Sequence, residues 1–335
     1  MRFLFLGIAS LYPLFTLAPF SLAQSSNEPI IDMHLHALHV DEQGPPPVFI
    51  CAPYPSWPWR DARTSGDDYS KALLKTPPCS SPLSSPTSDE ELMQRTIQIM
   101  NARNVVGLVS GSLEVVDRWR EAGGSRILPS IAFDPKSGKP TVDELRRLVL
   151  EKRVAAFAEI VTQLDGVAAN DPRMEPYYAL AEELDVPVGI HMGPGPPGVS
   201  YFGAPDYRIR LSSLLLLEDV LTRHPKLRIW AMHAGWPLAD EAVAALYAHP
   251  QLYVDIGTIS YAFPRKEFYG YLQRLIDAGF ESRIMFGSDE MVWPDALSAA
   301  IDSVLNAPSL TRQQKRAILY DNAARFLRLK PFAPR

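Results

Sequence analysis

Histidine and cysteine are scarce in this 335-residue chain: seven of the former, two of the latter. Two cysteines cannot frame a disulfide-rich miniprotein or a Cys-based zinc module. Lysine and arginine (33) do not outnumber aspartate and glutamate (38), so there is no basic field for nucleic acid. Beyond the first two dozen residues no apolar run is long enough to span a bilayer, and no short repeat of the solenoid kind occurs. What remains is a globular protein large enough for a big core; its expected partner, a small molecule, follows from residues further along the chain. A homo-oligomer is an open expectation.

The first residues have their own pattern. Arg2 precedes an apolar run from Phe3 to Phe20, and Ser21-Leu22-Ala23 has the small-x-small form of a signal-peptidase site. Residues 1–23 are therefore expected to be a signal peptide and 24–335 the mature domain, exported to the periplasm or beyond. The alternative is an uncleaved anchor, which Pro13 and Pro19 interrupt. No membrane association is expected after cleavage. In an oxidising compartment Cys51 and Cys79 can pair. Both lie in residues 37–87, a proline-dense segment without helical or strand period, read as a long ordered loop or flexible insertion.

From Ser88 onward, short apolar or β-branched runs alternate with segments of helical period. Ser88 with Glu91, and Thr141 with Glu144, form candidate capping boxes. The candidate strands are IIDMHLH, VVGLVS, ILPSIAF, AAFAEI, VPVGIH, LRIWAMH, LYVDIG and RIMFGSD. Strict alternation implies a parallel α/β sheet with helices outside, and eight units suit a closed (β/α)8 TIM-like barrel, with the proline-rich insertion after the first strand. Residues 311–329 read as a closing helix packed on the outside, and Leu214–Leu217 as core-facing helix.

In such a barrel, catalytic groups belong at the carboxyl ends of strands. His34 and His36 stand two apart on the first strand and so share a face. Glu159 lies near the end of the fourth, His191 and His233 end the fifth and sixth, and Asp289 follows the eighth. Imidazole with carboxylate is a donor set suited to zinc and similar divalent ions, manganese among them. His39 lies past the expected end of the first strand and reads as a loop residue, while His224 and His249 at helix ends read as structural. GPGPPG after His191 lacks the Lys-Ser or Lys-Thr of a phosphate cradle and reads as a stiff rim loop. Trp57, Trp59, Tyr201, Phe202, Trp236, Tyr261 and Trp293 follow strand ends and form a candidate aromatic wall, with packing as the alternative. Arg60 and Arg208 are candidates to meet a substrate carboxylate, with plain surface exposure the alternative.

Through DMHLHA, FAEI, GIHMG, AMHAGWP, MFGSDEMVWP and NAARFLRL, in that order from Pro29 to Leu329, the chain resembles the amidohydrolase superfamily. The likeness is to its amidohydrolase-related branch of metal-dependent hydrolases and decarboxylases. The resemblance implies a distorted (β/α)8 barrel with one or two divalent metals in its mouth. It implies that His34, His36 and Asp289 bind one ion, and that Glu159 sits where some relatives bridge two metals. His191 and His233 would complete the second site. With a single ion, His191 instead joins the first group and His233 polarises the substrate. A carboxylate such as Glu159 in an acidic mouth favours two ions. The expected activity is hydrolysis of an ester, lactone or amide, with Asp289 as proton acceptor and donor and His233 or metal at the oxyanion. The alternatives are nonoxidative decarboxylation of an unsaturated or aromatic acid, and a non-catalytic binding protein derived from an enzyme.

Overall fold

The computed structural model describes residues 28–329; the expected signal segment 1–23 lies outside the described residues. Eight parallel strands build the core: β1 (Ile30–Ala37), β2 (Val105–Gly111), β3 (Ile127–Pro129), β4 (Phe157–Ile160), β5 (Val188–His191), β6 (Ile229–Met232), β7 (Tyr253–Asp255) and β8 (Ile284–Met285). They are the eight expected from the alternating pattern. Strands β1–β3 form one sheet and β4–β8 another, each in sequence order. Parallel bridges Ser130 to Ala156 and Leu35 to Glu290 join the two. Backbone hydrogen bonds from Ala155 to Pro129 (2.7 Å) and from Met33 to Phe286 (2.9 Å) complete the ring. Helices such as Asp89–Ala102, Glu175–Glu183 and Arg265–Asp277 fill the connections.

A β-bulge in β1 decides what faces the interior. Simple alternation would put Ile31 and Met33 on the face opposite His34 and His36. The pairing of β1 with β2 shifts register between Asp32 and Leu35, which resets the alternation. Ile31 and Met33 thereby join an interior cluster with Leu108, Ala158, Trp230 and Met285, while His34 and His36 face the same interior nearer the mouth. Trp230 fills the space below the histidines, and Gly189 makes room for it: a Cβ there would lie 2.3 Å from the indole. The closing segment is not wholly on the outside, as first expected. Tyr320, Ala323 and Phe326 belong to the interior cluster and plug the end away from the histidines. A π-helical stretch, Ala317–Asp321, interrupts that helix, and within it the Ile318 carbonyl accepts from Phe286 N–H (2.8 Å).

Helix ends follow the local chemistry. Thr141 and Glu144 form the reciprocal capping box; at Ser88 only half is made, because Glu91 turns to the Thr87 N–H instead. Leu214–Leu217 is a 3-10 turn rather than an α-helix, with Leu214 and Leu217 buried and Leu215 42% exposed.

The segment after β1 is ordered and more structured than its composition implies. It holds a two-stranded ladder, Phe49–Ile50 against Leu83–Ser84, and a helix, Gly66–Leu74, capped by the Ser65 hydroxyl. Cys51 and Cys79 are disulfide-bonded across 28 residues, with Cα atoms 5.9 Å apart. The segment crosses the barrel mouth. Trp293 after β8 donates to the Val48 carbonyl (3.0 Å), Tyr54 N–H donates to Ala262 after β7 (2.8 Å), and Tyr69 meets Phe202 after β5 (6.3 Å between rings). It is a roof over the carboxyl end of the barrel.

Opening the loop should release entropy to the unfolded chain. Replacing both cysteines by serine is expected to cost about 3–4 kcal/mol by loop-closure arithmetic, read as a lower denaturant midpoint with a slope no shallower than the wild type's, since the unfolded chain becomes less compact. An unchanged midpoint would contradict the clamping role.

Candidate metal centre under the roof

The six residues expected from strand ends meet in one place. His34 Nε2 lies 3.3 Å from Glu159 Oε1 and 3.2 Å from Asp289 Oδ1; His36 Nε2 is 3.0 Å from the same Asp289 oxygen and 3.5 Å from Glu159 Oε2. His233 Nε2 and His191 Nε2 approach Glu159 Oε1 to 3.5 and 3.9 Å. Glu159 thus belongs to two groups of donors, one with His34, His36 and Asp289 and one with His191 and His233. All six side chains are 9% exposed or less.

The atoms at the centre lack ordinary partners. His34 Nε2, Glu159 Oε1 and His233 Nε2 are buried and make no hydrogen bond. Such orphaned groups are costly, and three converging on one point fit a divalent cation that would accept all of them. The donor chemistry therefore matches the ion that the residue types suggested.

Three of the four outer nitrogens have hydrogen-bond partners, and His34 Nδ1 makes none. His36 Nδ1 lies 3.1 Å from the Ser110 hydroxyl, and His233 Nδ1 donates to the Gly257 carbonyl at 2.9 Å. His191 Nδ1 is 2.7 Å from the Gln163 amide nitrogen, and His34 Nδ1 faces Asp255 Oδ2 at 3.4 Å. Asp255 is fully buried at the end of β7; its Oδ1 accepts from His233 N–H (3.0 Å) and Gly257 N–H (2.9 Å), and its Oδ2 from Trp230 Nε1 (3.0 Å). Thr258 donates to Asp289 Oδ2, leaving Oδ1 to face the histidines. Sequence reasoning passed over Asp255, Gln163, Ser110 and Thr258. Only Asp255, a carboxylate ending a strand, carried a usable signal.

Backbone strain gathers here. His233, Ala234, Thr258 and Asp289 all have positive φ, 53° to 59°, at the ends of β6, β7 and β8. Each costs on the order of 1–3 kcal/mol, which the surrounding hydrogen bonds must offset. Gly193 is needed on packing grounds, since a Cβ would lie 2.2 Å from His233 Cβ.

Charges in this dry space shift one another. Burial opposes ionisation of His34, Glu159, His191, His233 and Asp289. Against it, Asp289, Glu159 and Asp255 hold the His34 ring well above the ordinary imidazole range. His34 and His191 hold Glu159 well below the carboxylate range, and His34 and His36 lower Asp289. The His191 ring, dominated by burial and repelled by His233, falls to about 4. Burial pushes Asp32 up to about 6, and burial with the repulsion of Asp32 and Asp289 pushes Glu290 up to about 8.

The remaining candidates lie apart. His39 pairs with Asp89 on the surface, and His224 bridges Glu175 and Glu182 in a structural role. Arg60 donates to Thr64 O and lies over the Tyr201 ring, and Arg208 donates to two backbone carbonyls. Neither arginine contacts the histidine cluster. Of the aromatics, Tyr261 and Trp293 are core, Trp59 and Tyr201 are exposed, Phe202 packs beside Tyr69, and half-buried Trp57 and Trp236 flank Phe263 at 4.8 and 4.5 Å. The continuous wall is therefore reduced to this smaller edge-on cluster.

A sequence model of the amidohydrolase family matches residues 31–329. The chain belongs to the amidohydrolase family. No curated protein matches it in sequence. Among solved structures, 5-carboxyvanillate decarboxylase from Sphingomonas paucimobilis aligns with a TM-score of 0.58 at 13% identity, over 90% of this chain and 99% of that one. A probable 2-pyrone-4,6-dicarboxylic acid hydrolase from Acinetobacter baumannii aligns at 0.55 and 14%, over 90% and 100%. The 5-carboxyvanillate decarboxylase of Novosphingobium aromaticivorans with bound manganese aligns at 0.53 and 15%, over 71% and 81%. At these identities the likeness is one of fold: this member of the amidohydrolase family shares its barrel with both decarboxylases and a probable hydrolase.

The buried Glu290 makes a pH prediction. Its carboxyl ionises near 4.5 in a free chain and near 8 in the folded protein, so folding favours the neutral acid and stability falls as pH rises through that window. Glu290→Gln should match the wild type below about pH 4 and gain on the order of a few kcal/mol above about pH 8. An equal difference at both ends of a pH series of thermal melts would show that this carboxyl does not titrate as described.

Proposed function

We propose that this amidohydrolase is a metal-dependent hydrolase of a small molecule, cleaving an ester, lactone or amide bond. The observation that carries the reading is the convergence of partnerless His34 Nε2, His233 Nε2 and Glu159 Oε1 with His36 and Asp289. His34, His36, Glu159 and Asp289 would hold the ion, with His191 and His233 available to a second; zinc suits the donors, and manganese is bound by one protein of the same fold. A divalent ion there supplies a nucleophile at neutral pH and polarises a carbonyl.

The protein's own groups do the rest. Asp289, kept ionised by His34 and His36, takes the proton lost by the attacking water and returns it to the leaving oxygen or nitrogen. Thr258 fixes the carboxylate while it does so. His233, whose ring Glu159 and Asp289 hold above the ordinary range against the pull of burial, faces the developing oxyanion. The roof limits water at the centre. Export of the chain, through residues 1–23, is part of the same proposal and is supported by the Cys51–Cys79 bond.

Nonoxidative decarboxylation of an unsaturated or aromatic acid is the second reading, supported by the decarboxylases of the same fold and by the edge-on cluster of Trp57, Phe263 and Trp236. A panel of lactones, esters and aromatic acids, followed by proton release and carbon dioxide release in parallel, separates the two. Proton release without gas is expected; gas without net hydrolysis favours the second reading.

Chelation should abolish turnover and added Zn²⁺ or Mn²⁺ restore it. Asp289→Asn is expected to fold normally, by circular dichroism, and to lose about 10²- to 10⁴-fold in kcat. Full activity of that variant, or of chelated enzyme, would remove the mechanism.

A further inference from the structure

The four imidazoles of the cluster are not equivalent, and the difference lies in what touches their outer nitrogens. The Gly257 carbonyl, 2.9 Å from His233 Nδ1, can only accept, so in the neutral ring that nitrogen carries the proton and Nε2 is a bare lone pair, which gains its own proton only when the ring is charged. Asp255 facing His34 Nδ1 acts in the same sense. The Ser110 hydroxyl beside His36 can serve either way. His191 is the exception.

Its outer nitrogen meets a donor. Gln163 Nε2 lies 2.7 Å from His191 Nδ1 and 2.6 Å from the Gly193 carbonyl. Reversing the amide would set two oxygens 2.6 Å apart at Gly193, so the nitrogen belongs where it is. Ser212 completes the arrangement, its hydroxyl 2.8 Å from the Gly193 oxygen and 3.4 Å from Gln163 Oε1. One amide hydrogen serves Gly193 and the other His191 Nδ1, which must then be bare. The proton of the neutral ring sits on Nε2, the nitrogen that looks inward, and that nitrogen stands farthest of the four from Glu159, at 3.9 Å. A histidine that ligates a metal ordinarily donates its other N–H to an acceptor, which makes the inner nitrogen a better ligand. Here the partner is of the opposite kind.

We infer that Gln163 is a positioning residue that makes His191 the weakest metal ligand of the cluster, ranking the Glu159, His191 and His233 group below the His34, His36, Glu159 and Asp289 group. Through its inward N–H, His191 instead offers a hydrogen bond to a substrate oxygen. Gln163 tunes this from outside and touches no reacting atom. The inference rests on the reading of the cluster as an ion site.

Gln163→Glu replaces the donor by an acceptor of nearly the same shape; its oxygen must withdraw from the Gly193 carbonyl and, facing His191 alone, should reverse the effect. In metal-free protein labelled with ¹⁵N-histidine, the His191 proton is expected on Nε2 in the wild type and on Nδ1 in Gln163→Glu, with the other rings unchanged. In competition with a chromogenic chelator, the weakest Zn²⁺ or Mn²⁺ binding step should tighten by about 10- to 100-fold in the variant. Gln163→Leu, which removes the donor without adding charge, should shift the His191 spectrum alone and covers the case in which the glutamate disturbs folding. A wild-type His191 protonated on Nδ1, or unchanged ion affinity in folded Gln163→Glu, would overturn the inference. The spectroscopic arm needs neither ion nor substrate, so it fails or succeeds independently of the hydrolytic reading.

Discussion

Burying the carboxylate of Glu159 among four imidazoles and a second carboxylate is costly unless positive charge meets it there. That constraint organises the mouth of the barrel. Glu159 lies at the end of β4, His34 and His36 on β1, His191 and His233 at or just after the ends of β5 and β6, and Asp289 just past β8. Each strand supplies a group that a soluble core would otherwise expel, and only their meeting makes any of them tolerable. The β1 bulge belongs to the same account, because without it the two histidines and the apolar pair below them could not share the interior.

The outer layer explains how such a cluster is held without loss of precision. Asp255 ties His34, the His233 backbone, Gly257 and Trp230 into one buried unit, and Thr258 and Gln163 fix the opposite edges. The left-handed backbone at His233, Thr258 and Asp289 is affordable because those hydrogen bonds over-determine it. Above them the disulfide-closed segment spans from β1 to the loops after β5, β7 and β8, so the chemistry proposed for the centre takes place in a shielded space.

Most of the barrel was legible in the amino-acid sequence, since each strand is a short apolar run followed by a polar residue, and the six central side chains are of rare type at those ends. What was not legible depends on contacts between remote segments. Gln163 looks like any loop glutamine until Gly193 and Ser212 are beside it. The helix Gly66–Leu74 is hidden in a proline-rich stretch because its stability comes from packing on the β5 loop, where Gly66 sits directly against Tyr201. The plug formed by Tyr320 and Phe326 has the period of an outer helix and gives no sign that it closes the barrel floor. Arg60 and Arg208 were plausible by type alone, and geometry sends both to backbone carbonyls.

Six scattered side chains meet at one site, and four of them, His34, His36, Glu159 and Asp289, are placed to share one cation. Anomalous diffraction from crystals grown with Mn²⁺ tests it directly. The account predicts a peak inside the polygon of His34, His36, Glu159 and Asp289, with donor atoms drawn to roughly 2.0–2.3 Å of it. Strong density only at surface carboxylates, with Glu159 still facing the histidines and no ion between them, would contradict it.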